Sequence, residues 1–117
     1  MKESTSAPDW KDRHCVPCEG GIDRVPAEAA RRYLTDLPDW SLEEDGLQIT
    51  RQLNTGDFRT AVRHLNAIAE LAESEQHHPD LHLTRYRHLR VALTTHAIGG
   101  LSENDFVMAA RIDQILS

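Results

Sequence analysis

An apolar repeat at spacings of three and four, formed by Phe58, Ala61, Val62, Leu65, Ile68, Ala69 and Ala72, constrains the fold more than any other stretch of the chain. Those spacings put the side chains on one face of a helix. Asn54-Thr55-Gly56-Asp57 breaks the chain ahead of it. Pro79 disfavours the α conformation in the residue before it, so the helix must stop by His78.

The segments on either side have a different period. Pro26 followed by Ala27-Glu28-Ala29-Ala30-Arg31-Arg32-Tyr33-Leu34 places a proline at the first helical position, ahead of strong helix formers, and predicts a short helix to about Leu37. After Pro38, Trp40-Ser41-Leu42 and Leu47 to Leu53 alternate apolar with polar around Asp45-Gly46, the pattern of a β-hairpin with an Asp-Gly turn. Beyond Pro79, Leu81 and Leu83 alternate with polar partners, as do Leu89, Val91 and Leu93, predicting a second strand pair. Its turn near Tyr86-Arg87-His88 contains no favoured turn dipeptide. Gly99-Gly100 interrupts again, and Ser102-Glu103-Asn104-Asp105 resembles a capping box opening a helix that buries Phe106, Ala109, Ile112 or Ile115, and Leu116.

Paired strands with helices between them predict an α+β two-layer sandwich, a four-stranded antiparallel sheet with helices on one face, in the order β-β-α-β-β-α after a short first helix. Residues 1–21 read as a polar N-terminal tail or wrapping arm, broken by Pro8, Pro17, Gly20 and Gly21, and residues 22–117 as the domain. A small sheet with an apolar open face or a free edge commonly buries it in a partner, so a homodimer or homotetramer is expected.

A chain of 117 residues suits a single domain, and its apolar stretches are far short of the ~20 residues a membrane helix needs. Met1 to Ser6 has no apolar segment of the secretory kind, which points to the cytoplasm. With a net charge of -6 and no Lys/Arg run interleaved with aromatics, neither nucleic acid nor membrane is an expected partner.

Seven histidines are many for this length, and His77, His78, His82, His88 and His96 fall within one stretch of twenty residues. If the second hairpin turns at about Tyr86-Arg87, opposed residues sum to about 173, which sets His78 beside Thr95 and His96. His77 and His78 lie at a helix C-terminus, where the dipole favours imidazolium. Such a cluster can offer one protonated and one neutral ring near neutrality, as an acid-assisted loss of water requires. Adjacent histidines at a helix end project apart, unlike the i, i+4 pair of a zinc helix, so no metal site is expected. A surface cluster at a helix terminus and a strand end would show the same residues.

Glu73, His77-His78-Pro79, Tyr86, His96 and Asp105 together, in that order and spacing, resemble the signature of the pterin-4a-carbinolamine dehydratases. The likeness extends from about Ile22 to the C-terminus and includes Trp40, Asp57-Phe58, Thr95-His96 and Gly99 to Phe106. It implies dehydration of 4a-hydroxytetrahydropterin to quinonoid dihydropterin and water, in tetrahydropterin recycling after an aromatic amino acid hydroxylase, with no cofactor. It carries over His77, His78 and His96 as catalytic residues, and the pterin would be bound by Glu73, Pro79, Asp80 and Asp105. The cap is the favoured role for Asp105, Glu73 could orient His77 one turn away or equally lie on a solvated helix face, and Tyr86 reads as packing. Leu81 and Ala97 depart from the residues common at those positions. The noncatalytic alternative is an interaction protein, of the transcriptional-coactivator or RuBisCO-assembly kind that relatives of this fold include; retention of His77-His78-Pro79 favours the enzyme.

Cys15-Val16-Pro17-Cys18, preceded by His14, is a lone CxxC that cannot complete a four-ligand zinc site within one chain. A disulfide, an intersubunit metal and inert thiols are all compatible with it, the last favoured in a reducing compartment.

Overall fold

The computed structural model describes residues 9–17 and 22–117, so Cys18 lies outside the described residues. The elements run α1 (Ala27–Leu34), β1 (Ser41–Leu42), β2 (Ile49–Asn54), α2 (Phe58–Glu75), β3 (Asp80–Thr84), β4 (His88–Leu93) and α3 (Glu103–Leu116). The sheet order is β1-β2-β4-β3 with every neighbouring pair antiparallel, the α+β sandwich that the alternation predicts. No helix among the described residues is long and apolar enough to cross a membrane.

Local chemistry sets the boundaries. Pro26 is the extended N-cap of α1, so the helix starts one residue later than expected, and it ends at Leu34 instead of about Leu37. Leu37 still reaches the core through turns closed by its N–H on the Leu34 carbonyl. Asp45-Gly46 makes the first hairpin turn, with Gly46 at φ 72° and the Asp45 carboxylate accepting from Leu47 N–H at 2.9 Å. Asp57 caps α2 by accepting from Thr60 N–H at 2.7 Å, and that bond holds its carboxyl below the usual value.

The second hairpin differs from expectation by one residue. Asp80 faces Ala92 and Leu83 faces Leu89, pairs that sum to 172. Its turn uses Arg85 and Tyr86 at φ 48° and 54°, a left-handed conformation that neither residue type advertises.

Even and odd positions then separate the sheet faces. Ile49, Leu53, Leu81, Leu89, Val91 and Leu93 turn toward the helices and join a core completed by Ile68, Phe106, Met108 and Ile112. Arg51 shares this face, and its guanidinium pairs with Asp113 of α3, which also accepts from Trp40 Nε1 at 2.8 Å. The opposite face carries Gln52, Asn54, His82, Thr84, His88 and Arg90, so it is polar; the exposed face is not the apolar surface that would itself demand a partner.

The N-terminal arm is more than a polar tail. Trp10, in a 3-10 turn over Trp10–Asp12, is only 3% exposed and packs between Tyr33 and Phe106, with ring centroids 5.0 and 5.8 Å away. A single aromatic in a segment with no period gives no sign of this in the sequence.

Candidate active site

The end of α2 decides which way each histidine points. Gln76 adopts φ 55°, and His77 N–H bonds to the Ala72 carbonyl at 3.2 Å, the pairing of a left-handed helix stop. This reversal sends two adjacent identical residues in opposite directions. His77 turns inward and is buried, while the His78 side chain remains 57% exposed.

His77 is held by one carboxylate. Its Nε2 lies 2.7 Å from Asp105 Oδ1, and Asp105 is wholly buried. The other oxygen, Oδ2, accepts from Thr95 Oγ1 at 2.8 Å and from Ser102 N–H at 3.0 Å. Ser102 in turn caps α3, its Oγ accepting from Asn104 N–H at 3.2 Å, and lies 2.7 Å from Thr95 Oγ1. Capping α3, which the sequence pattern predicts for Asp105, and holding His77, which it does not, are thus two contacts of the same carboxylate. The side chains of Asp105, Thr95 and Ser102 are all satisfied by protein partners, as most buried polar groups are.

Thr95 links the network to the third histidine. Its backbone pairs with Gly100 in both directions, Thr95 N–H to the Gly100 carbonyl at 2.9 Å and Gly100 N–H back at 3.4 Å. The next residue, exposed His96, opens a 3-10 turn over His96–Ile98 that Gly99 closes at φ 64°. His77 and His96 are therefore joined through Asp105 and Thr95, from α2, α3 and the end of β4.

The remaining sequence-predicted residues are placed as follows. Glu73 does not reach His77; its Oε2 lies 2.6 Å from His78 Nε2, because the left-handed stop removes His77 from the helical face. Both partners of that pair are exposed. Pro79 is half-buried, and Asp80 is exposed at the start of β3. Tyr86 is at the far tip of the hairpin, 55% exposed under the Arg87 guanidinium, so it is not packing. Among the described residues, no group of three or more His, Cys, Asp or Glu side chains is arranged to hold a metal ion. Two of the larger cavities, of 520 and 580 Å³, lie beside the arm and include none of the three histidines. Sequence reading missed Thr95 and Ser102 as site residues. The available signal was a hydroxyl beside His96 and another three residues before Asp105.

This arrangement lies entirely within residues 23–115, which match the family model described as Pterin 4 alpha carbinolamine dehydratase. The chain belongs to that family. Among dehydratase relatives, Pterin-4-alpha-carbinolamine dehydratase 2, mitochondrial, of Arabidopsis thaliana is 37% identical over 113 residues, covering 94% of this chain and 60% of that one. A protein of Azoarcus sp. (strain BH72), whose name assigns it provisionally to the same dehydratase activity, is 44% identical over 103 residues, 88% of this chain and 87% of its own. The crystal structure titled transcriptional coactivator/pterin dehydratase from Brucella melitensis superposes with a TM-score of 0.76 at 29% identity, over 81% of this chain and all of that one. The dehydratase match begins after the arm, so Trp10 and Cys15 belong to a part of this chain that the family model does not describe.

Proposed function

We propose that the chain dehydrates 4a-hydroxytetrahydropterin to quinonoid dihydropterin and water, with His77, His78 and His96 as the catalytic and substrate-placing histidines. The observation that carries this reading is the buried Asp105 on His77 Nε2, which fixes one ring nitrogen and leaves Nδ1 with no partner among the described residues. A carboxylate holding one side of an imidazole orients the ring and fixes its tautomer, so that the other side can exchange a proton.

In the proposed step His77 or His96 donates a proton to the hydroxyl at C4a, and the C4a–O bond breaks to release water. The lone pair of the adjacent ring nitrogen forms the new C=N bond. The proton of that nitrogen passes to the second histidine. Lone-pair assistance makes the hydroxyl a ready leaving group, so acid/base help of about 10² to 10⁴ is enough. His78, exposed with Glu73 beside Pro79 and Asp80, sits where it can place the pterin. Regeneration of tetrahydropterin after an aromatic amino acid hydroxylase is the use this chemistry suits. The unpaired edge of β3 among the described residues supports association of copies into a homo-oligomer.

A stopped-flow assay on synthetic 4a-hydroxytetrahydropterin tests the reading. Wild type should exceed the uncatalysed rate, and His78→Ala and His96→Ala should each fall by about 10² or more. Equal rates for all three at the uncatalysed level would remove the enzymatic function and leave the noncatalytic role that the coactivator title attaches to the Brucella protein.

A further inference from the structure

Counting hydrogens through the buried network gives it a direction. A carboxylate only accepts, and a hydroxyl has one hydrogen to give. Thr95 Oγ1 gives its hydrogen to Asp105 Oδ2 at 2.8 Å, so the 2.7 Å contact between Thr95 and Ser102 must be Ser102 donating to Thr95. Ser102 Oγ keeps its acceptor position for Asn104 N–H. The chain therefore runs from Ser102 to Thr95 to Asp105 and admits no reversal. On the other oxygen His77 Nε2 must carry its hydrogen toward Asp105. Hydrogen bonds arranged head to tail polarise and strengthen one another.

We infer that Thr95 is a positioning residue for the dehydration, acting on both proton-handling histidines at once. Through its hydroxyl it fixes the Asp105 carboxylate, which holds His77 as the Nε2–H tautomer with Nδ1 toward the substrate. Through its backbone pairing with Gly100 it sets the start of the turn that carries His96. Thr95 is itself 2% exposed, so it acts through these neighbours without touching the pterin. Ser102 supports it by orienting its hydroxyl. This inference rests on the proposed dehydratase reaction for its kinetic consequence, but the tautomer does not depend on any reaction.

The test combines the two. Nitrogen-15 NMR of the full chain at alkaline pH, with the His77 ring neutral, should show protonated Nε2 and unprotonated Nδ1. The opposite tautomer overturns the assignment whether or not the protein is an enzyme. In stopped-flow assays Thr95→Val keeps the side-chain shape and backbone pairing but removes the hydroxyl, and should lower kcat about 10- to 100-fold with little change in KM, the effect of a misplaced reacting group. Thr95→Ser restores the hydroxyl and should recover most of the rate. Ser102→Ala, which leaves the Thr95 to Asp105 bond in place, should lose less than Thr95→Val. A Thr95→Val enzyme as fast as wild type, or a Thr95→Ser enzyme as slow as Thr95→Val, overturns the positioning role. Should Thr95→Val fail to fold, the wild-type tautomer still tests the direction of the network and Thr95→Ala takes its place in the rate comparison; equal rates for Thr95→Ala and Thr95→Ser overturn the positioning role. A wild type that shows the Nε2–H tautomer but no dehydration would instead count against the proposed reaction.

Discussion

Among the described residues two enclosed carboxylates each grip a histidine, and they differ in what surrounds the ring. Asp105 holds His77 with both side chains buried, 0% and 6% exposed, and all of its donors come from the domain itself. Glu75, at the end of α2, is also only 6% exposed, but its histidine is His14 of the N-terminal arm, 77% exposed. Cys15 N–H donates to Glu75 Oε1 at 2.7 Å, and Arg111 reaches Oε2 at 2.9 Å. The lengths of the two histidine contacts are nearly the same, 2.7 and 2.8 Å. Distance alone does not separate them; burial of the second partner does. A pair with both partners in the core is costly to break, whereas one with a solvated partner is screened.

The largest effect expected from this contrast is at Asp105. Asp105→Ala strips acceptors from His77, Thr95 and Ser102 together and removes the side-chain half of the α3 capping box. A loss of about 3–5 kcal/mol is expected for removing a buried carboxylate and stranding the buried donors it satisfies. Urea unfolding measures it, and dehydration should drop with it. A loss no greater than that of Glu75→Gln would erase the distinction between the two sites.

Next comes Trp10, which asks whether the arm is held by its polar contacts or by its one aromatic. Trp10 fills the space between Tyr33 and Phe106, so Trp10→Ala should cost about 3 kcal/mol in the same unfolding assay, in the range for a buried aromatic. Because the arm lies outside residues 23–115, kcat for the pterin should change little. If Glu75→Gln proves more damaging than Trp10→Ala, the polar cluster is the real anchor.

Glu75 itself carries a smaller, pH-dependent share. Burial pushes its carboxyl up, but the Cys15 N–H, His14 and Arg111 together outweigh that and hold it below the ordinary value of 4.5. A depressed carboxyl stabilises the fold above its unfolded value and loses that contribution as pH falls through the folded one. The advantage of wild type over Glu75→Gln should therefore be about 1–2 kcal/mol at neutral pH and shrink only below 4.5. Thermal unfolding of both proteins across that range measures it. A gap that widens on acidification would contradict the assignment.

The contrast also explains what could be read in advance. The period of α2, the Asp45-Gly46 turn and the Ser102 cap are local patterns, and they located the helices, the first hairpin and the start of α3. The second hairpin was placed one residue off because Arg85 and Tyr86 form a left-handed turn without glycine or asparagine. His77, His78 and His96 stood out as a cluster, but their opposite orientations depend on the left-handed Gln76, which no periodicity reveals. The role of Trp10 has no signal in the sequence and that of Thr95 only a hydroxyl beside His96, for a related reason: each acts through a tertiary contact, with the aromatic cluster for one and Asp105 for the other.

The smallest effect on stability belongs to the pair that most resembles His77–Asp105 on paper. His78 Nε2 lies 2.6 Å from Glu73 Oε2, shorter than either of the other two histidine contacts, yet the side chains are 57% and 72% exposed. Solvent screens such a pair, so Glu73→Gln should change stability by no more than about 0.5 kcal/mol. Glu73→Gln keeps the shape and a hydrogen-bond acceptor while removing the negative charge beside His78. If His78 places the pterin, KM should rise severalfold while kcat holds, the reverse of the pattern expected at Thr95. Steady-state assays on the same protein used for unfolding read both quantities. A fall in kcat with KM unchanged would move His78 from placing the substrate to handling a proton, and would make the exposed histidine, not the buried one, the centre of the chemistry.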